Sequence, residues 1–134
     1  MRLIISLILT IFFVSAAQAD VRVVVNRANQ TVTATIDGTV HVWPTSTGKR
    51  DTWTRAGRFG VQSLSKHHRS SKYNWAPMPY SIFFNGDVAL HGTNKIDRLG
   101  VRDSHGCARL HPAHAKILFE AVERNGRRAS ITVL

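Results

Sequence analysis

Residues 21–43 are dominated by β-branched side chains, which fit a pleated strand better than a helix. Two runs, 21–25 (VRVVV) and 31–36 (TVTATI), are separated by a polar turn, and Asp37-Gly38 marks a tight hairpin before residues 39–43. This spacing predicts a β-meander. Because such a sheet must cover its apolar face with a second layer, we expect a mainly β chain folded as a β-sandwich.

The rest of the chain predicts more strands and one main helix. Strands are expected near 58–62, at 78–84, at 88–91 after the Asn85-Gly86 turn, and at 129–133. Pro112 suits the first turn of a helix over residues 113–123, which ends at Asn125-Gly126. Helical spacing predicts an apolar face made of Ile117, Leu118, Ala121 and Val122.

Residues 44–74 otherwise have the composition of a loop, including the polar run 63–73. The charged run 66–69 (KHHR) within it predicts either a solvated loop tip or a groove rim that attracts carboxylates. Trp43, Trp53 and Trp75 are expected either to pack in the core or to line a groove.

Residues 1–19 have the pattern of a secretory signal. Arg2 provides the positive end, residues 3–14 are apolar, and residues 17–19 (AQA) fit a small-x-small cleavage site. The apolar run is shorter than the roughly 20 residues of a membrane-spanning helix, so we expect cleavage and no stable membrane insertion. Residues 20–134 then form one domain, which we expect to be monomeric.

The charge of the chain points to an anionic partner. Eighteen Lys and Arg residues against eight Asp and Glu residues give a net charge of +10, and only Arg2 leaves with the signal. Nucleic acid is not expected, because the basic residues are scattered, no nucleic-acid-binding motif accompanies them and the chain is predicted to be exported.

Cys107 is the only cysteine, so the chain forms no internal disulfide, and the residue is either an inert buried group, an intermolecular link or a working thiol. His91 and His105 are nearby in sequence, and imidazole is the usual partner of a nucleophilic thiol. A metal site made of Cys107, His105, His111 and His114 is not favoured, because the spacing is not that of paired zinc ligands.

The strings His91-Gly92-Thr93 and 104–110 (SHGCARL) resemble the signature of the L,D-transpeptidase catalytic domain (YkuD-type), a family of cysteine enzymes that cross-link the bacterial cell wall. Residues 43–48 (WPTSTG) and 78–84 (MPYSIFF) are similar to two further family segments. Two positions depart from the pattern. Arg55 replaces a proline in residues 54–59 (TRAGRF), and the small Ala108 follows the cysteine where the family has a bulky aliphatic residue.

The resemblance implies a β-sandwich of mixed sheets with one main helix, and a thioester acyl-enzyme on Cys107. It favours His91 as the base, with the carbonyl of Gly92 orienting the ring, and leaves His105 as a supporting group. From the residues alone, either histidine remains a candidate, although one from a separate strand folds over the thiol more readily than one two positions away.

The remaining site candidates surround this pair. Backbone N–H groups around Gly106 and Cys107 are expected to stabilise an oxyanion. Arg109 is expected either to bind a substrate carboxylate or to brace the loop by an ion pair. Ser104 and Tyr80 are further substrate-binding candidates, and the sequence leaves open whether Ser104 instead caps or braces the loop.

By resemblance, the expected reaction is transpeptidation of peptidoglycan stem peptides in the periplasm or cell wall, with release of D-alanine, 3-3 cross-links and no cofactor. Water or a D-amino acid as acceptor would instead give an L,D-carboxypeptidase or an exchange enzyme. A catalytically idle peptidoglycan-binding domain is the alternative of a different class.

Overall fold

The described part of the chain contains two mixed β-sheets, one α-helix and a short 3₁₀ helix at Ile96–Arg98. The computed structural model describes residues 9–11 and 21–134. The segment predicted to be a signal, residues 1–19, lies outside these ranges except for positions 9–11. No helix in residues 9–11 and 21–134 has the length and apolar character needed to cross a membrane.

The first sheet has five strands in the order β3-β2-β1-β9-β4. The predicted meander is confirmed, because β1 pairs with β2 and β2 with β3 in antiparallel register, while β9 joins β1 in parallel. The strands are β1 (Val21–Asn26), β2 (Thr31–Ile36), β3 (Thr39–Pro44), β4 (Gly57–Gly60) and β9 (Ala129–Val133).

The second sheet has four strands in the order β5-β6-β7-β8 and carries the residues of the candidate site. Its strands are β5 (Ser63–Ser70), β6 (Ala76–Asn85), β7 (Val88–Gly92) and β8 (Ala108–Leu110). The predicted hairpin at Asn85-Gly86 joins β6 to β7, and β8 lies parallel to β7. Both sheets therefore contain parallel and antiparallel pairs, which confirms the expected mixed sandwich.

The interpretation of residues 63–73 as a loop was wrong for its first eight positions. Residues Ser63–Ser70 form β5, which pairs along its length with β6, and the charged run 66–69 lies in this strand instead of at a loop tip. The sequence pattern did not indicate this strand, because most of its side chains are polar. The strand is stabilised by its backbone pairing with the apolar β6 and not by an apolar face of its own.

Helix α1 (Pro112–Arg124) packs on the second sheet and joins the core between the sheets. Pro112 stands in the first turn and Asn125 caps the end, as the sequence predicts. The expected apolar face is wrong at Ile117, which is 43% exposed. The buried face of α1 includes two positions that the prediction omitted, Ala115 and Phe119, and leaves out Ile117, which faces outward. The buried residues are Ala115, Leu118, Phe119, Ala121 and Val122.

Candidate active site

Strand register brings His91 and Arg109 together. In the parallel pair β7–β8, His91 lies opposite Arg109, and Leu90 lies opposite Ala108. Leu90 and Ala108 are fully buried in the core, so the alternating direction of strand side chains turns His91 and Arg109 to the other face. Cys107 directly precedes β8 and, two positions from Arg109, lines the same cavity as His91.

His91 is buried, and its ring is held by the next residue. Its Nδ1 lies 2.6 Å from the carbonyl oxygen of Gly92. Because a carbonyl only accepts hydrogen bonds, this contact places the proton on Nδ1 and leaves Nε2 free to accept one. Burial lowers the pKa of His91 to about 4, outweighing the opposing effect of the Gly92 hydrogen bond, so the ring is neutral near pH 7.

The thiol of Cys107 is also in its neutral form at rest. Burial raises its pKa, although the N–H of Ala89, 3.4 Å from Sγ, acts in the opposite direction. The carboxylate of Asp87 raises the pKa further. Since both shifts disfavour charge, the resting site holds a thiol and a neutral imidazole instead of a preformed thiolate–imidazolium pair.

The turn before Cys107 is fixed by the Ser104 hydroxyl. Ser104 is buried, its Oγ accepts a hydrogen bond from the Gly106 N–H at 3.1 Å, and it donates to the Cys107 carbonyl at 2.5 Å. Gly106 has φ of +127°, a conformation that other residues rarely adopt, so glycine is required here. The Gly106 N–H is therefore already engaged, so of the two N–H groups expected to stabilise an oxyanion, the structure ties up the one at Gly106.

Arg109 is anchored by an ion pair. Its Nη1 lies 3.0 Å from Oδ2 of Asp103, and Asp103 also lies 3.5 Å from Nε of Arg98. The Arg109 side chain is only 13% exposed, yet it lines the cavity. The structure thus gives Arg109 a bracing contact while leaving it at the cavity wall.

His105 lies at the cavity wall as well, on the exposed side of the turn. Its ring stacks on Tyr73, which belongs to the turn between β5 and β6. Partial burial and the nearby Lys49 and Arg109 lower the pKa of His105.

Two cavities meet at Cys107. The larger one has a basic side formed by Lys95 and Arg109, with His105 and Asp87 also in its wall. A second cavity lies on the β5 side. Both are bordered by Cys107 and by the same four other residues, Ser70, Tyr73, Met78 and Asp87. Tyr73 of the β5–β6 turn and Cys107 therefore border both cavities.

Tyr80 lies apart from these cavities. It has φ of +56° within β6, and its ring packs edge-on against Phe119 of α1, with centroids 5.6 Å apart. It does not line either described cavity. The structure thus places Tyr80 beside the helix and not beside Cys107.

The three tryptophans have different environments. Trp43 is buried and stacks on His114, whereas Trp53 and Trp75 are exposed. None of them lines either described cavity. Trp43 is therefore a core residue, and the structure does not bring the other two to the thiol.

The histidines of the α1 end do not join the site. His111 accepts a hydrogen bond from the Ala113 N–H and caps the helix, while His114 stacks on Trp43. Within the described ranges, no group of three or more His, Cys, Asp or Glu side chains is placed to hold a metal ion.

Buried threonines upstream support the turn before Cys107 and the start of β8, and the sequence pattern indicated no role for them. Thr45 donates to the Arg109 carbonyl, and the Thr47 carbonyl accepts from the N–H groups of Asp103 and Ser104. Thr54 donates to the Gly106 carbonyl. The only signal in the sequence was their position in segments that resemble the family, since threonine by itself indicates no particular contact.

A family model of the L,D-transpeptidase catalytic domain matches residues 20–131. The probable L,D-transpeptidase YbiS of Escherichia coli K12 is 44% identical over 43 residues, which cover 32% of this chain and 14% of that protein.

Solved structures agree with this match. An L,D-transpeptidase from Stackebrandtia nassauensis is 26% identical with a TM-score of 0.75, covering 89% of this chain and 57% of that one. L,D-transpeptidase 3 from Mycobacterium tuberculosis, in complex with a faropenem-derived adduct, shares the fold with a TM-score of 0.76 at 20% identity, covering 84% of this chain and 59% of that one. The chain spans well under two thirds of each of these relatives. It belongs to the L,D-transpeptidase catalytic domain family.

Proposed function

We propose that this protein is an exported cysteine L,D-transpeptidase that forms a thioester acyl-enzyme on Cys107 with peptidoglycan stem peptides. The observation that carries the proposal is that the Cys107 thiol and a His91 ring with a free Nε2 line one cavity. Family membership supports the reaction class.

The resting protonation states favour transfer of the thiol proton during attack. Nε2 of His91 takes the proton from Sγ as sulfur adds to the carbonyl carbon of the stem peptide, and the carbonyl π electrons move to oxygen. The Cys107 N–H stabilises this oxyanion. When the oxyanion collapses, the C–N bond breaks, and the departing D-alanine amine takes the proton from the imidazolium.

Two cavities at one thiol suit a reaction with two substrates. The basic side of the larger cavity fits the carboxylates of a donor stem, and Arg109 retains donor groups beyond the Nη1 that binds Asp103. The cavity on the β5 side offers a separate approach for the amine of an acceptor stem. Attack by this amine on the thioester regenerates the thiol and forms a cross-link.

The proposed location is the periplasm or cell wall. The signal pattern in residues 1–19 supports export, and the net charge of +10 supports attraction to an anionic wall polymer.

The acyl-enzyme is tested with faropenem, because a relative is known in complex with a faropenem-derived adduct. Intact-protein mass spectrometry should show one covalent adduct on the wild type and none on Cys107→Ala. An adduct on Cys107→Ala would place the nucleophile elsewhere. No adduct on a folded wild type would favour the idle binding domain.

The products are tested by incubating the protein with disaccharide-tetrapeptides. Dimers joined between two third-position residues, with free D-alanine, are expected. Tripeptides alone would indicate an L,D-carboxypeptidase, and incorporation of an added D-amino acid would indicate an exchange enzyme. Unchanged tetrapeptide together with co-sedimentation with sacculi would contradict enzymatic activity.

A further inference from the structure

Thr54 makes a contact that reaches the peptide bond in front of the nucleophile. Its side chain is buried, with 1% exposure, and Oγ1 donates to the Gly106 carbonyl at 2.7 Å. The same oxygen accepts a hydrogen bond from the Gly48 N–H at 3.0 Å. The hydroxyl thus has both a donor and an acceptor partner, which fixes the direction of its proton.

The Gly106 carbonyl and the Cys107 N–H belong to one planar peptide unit. In a trans peptide these two groups point in opposite directions, so a hydrogen bond that holds the carbonyl also sets the direction of the N–H. The N–H of Cys107 therefore points away from Thr54. Among residues 21–134 it has no hydrogen-bond acceptor.

The peptide unit between Gly106 and Cys107 is held by Thr54 and not by Ser104. Ser104 engages the Gly106 N–H and the Cys107 carbonyl, which belong to the peptide units on either side. Gly106 has φ of +127° and no side chain, so the backbone around it lacks the steric restraint of a Cβ. Within residues 21–134, the Gly106 carbonyl accepts its hydrogen bond from Thr54.

We propose that Thr54 is a positioning residue that aims the Cys107 N–H at the oxyanion formed during acylation. The inference rests on the proposed acyl-enzyme function and extends it. It also gives a role to the segment in which Arg55 replaces the proline of the family pattern, because Thr54 directly precedes Arg55. Thr54 is itself held by Arg27, which donates to the Thr54 carbonyl at 3.1 Å.

The test compares two reactions of the same thiol. Acylation by faropenem passes through an oxyanion, whereas alkylation by iodoacetamide is a displacement of iodide by sulfur that forms none. The ratio of the two second-order rates, followed by intact-protein mass spectrometry, separates oxyanion stabilisation from the reactivity of the thiol. Circular dichroism and thermal unfolding report the fold of each variant.

Thr54→Val removes the hydroxyl with little change in shape. Removing an oxyanion donor lowers kcat by about 10²–10³-fold, whereas this change only misdirects the donor N–H of Cys107. We therefore expect the acylation-to-alkylation ratio to fall about 10–100-fold. Thr54→Ala is a second hydroxyl-free variant that adds no methyl group to the turn. Thr54→Ser keeps Oγ and should restore the ratio to within about threefold of wild type.

Ser46→Ala is the matched control. Ser46 is also fully buried, and its Oγ donates at a similar 2.6 Å to a carbonyl, that of Val101, which is not part of the Gly106–Cys107 peptide and does not line either described cavity. We expect it to lose similar stability, about 1 kcal/mol, with an unchanged ratio.

An unchanged ratio in both Thr54→Val and Thr54→Ala, or a parallel fall of acylation and alkylation, would overturn the assignment of Thr54 while leaving the acyl-enzyme intact. A wild type that is alkylated but not acylated would instead overturn the proposed function itself.

Discussion

The imidazole of His105 stacks on the phenol ring of Tyr73, with centroids 4.1 Å apart and ring planes 11° from parallel. This contact connects the β5–β6 turn to the turn before Cys107 through the face of the His105 ring. His91 is held differently, through Nδ1 and the Gly92 carbonyl, which leaves its Nε2 free for proton transfer. The contact of His91 therefore leaves a ring nitrogen that can accept a proton, whereas the contact of His105 holds the face of its ring.

His91→Ala should lower the acylation rate by about 10²–10⁴-fold, the usual contribution of a general base, and His105→Ala by about tenfold at most. Both rates are measured with one substrate under single-turnover conditions. His105→Phe serves as a control, because it keeps a ring to stack on Tyr73 and should lie closer to wild type than His105→Ala. Equal losses at the two positions would leave the base unassigned.

The buried His91 should make the protein less stable in acid. Its pKa is about 4 in the folded state and 6.5 in a model peptide, so the unfolded chain binds the proton more tightly. The contribution of neutral His91 to the free energy of unfolding is fully present above pH 6.5 and is lost as the pH falls toward 4. The loss of unfolding free energy reaches about 3 kcal/mol. Urea unfolding at several pH values measures this loss.

The variant His91→Gln cannot bind this proton, so its stability should fall less steeply between pH 6.5 and pH 4 than that of the wild type. His105→Gln is the comparison, because His105 is exposed and should leave most of the slope in place. Identical slopes in wild type and His91→Gln would show that His91 is not the group responsible.

Gly92 has little room for a side chain. A Cβ at this position would lie 3.1 Å from Cγ of Pro79 and 3.2 Å from Cα of Pro112. Gly92→Ala should therefore shift the carbonyl that holds His91 and lower kcat by about tenfold or more, since small misplacements of catalytic groups are costly. Gly60→Ala is the control, because a Cβ there meets no atom within 4 Å. Wild-type activity in Gly92→Ala would contradict the role of the carbonyl.

The two uses of Arg109 can be separated by their kinetics. Arg109→Lys keeps the charge but loses the planar fork that binds a carboxylate through two hydrogen bonds, so we expect KM to rise by about tenfold with a smaller change in kcat. Asp103→Asn removes the ion pairs with Arg109 and Arg98 and leaves the guanidinium of Arg109 in place, so it should cost on the order of 1 kcal/mol of stability with little effect on KM. Matching kinetic losses in the two variants would indicate that Arg109 is a brace alone.

Some features were predictable because they depend on short-range chemistry. The meander followed from β-branched runs and Asp37-Gly38, and the helix ends from Pro112 and Asn125. Other features depended on neighbours distant in the chain. The polar strand β5 forms because β6 pairs with it, and the outward direction of Ile117 was decided by which stripe of α1 meets the sheets.

The sequence by itself determined which groups are candidates for the site, since it holds one cysteine, two nearby histidines and a glycine-flanked turn. Only the tertiary structure decided how those groups are held. The parallel register of β7 and β8 sets His91 beside Arg109, and burial sets the neutral forms of His91 and Cys107. Thr54 reaches Gly106 across 52 positions of the chain, and no local pattern encodes such a contact, because a hydroxyl finds its partner only after the backbone has folded.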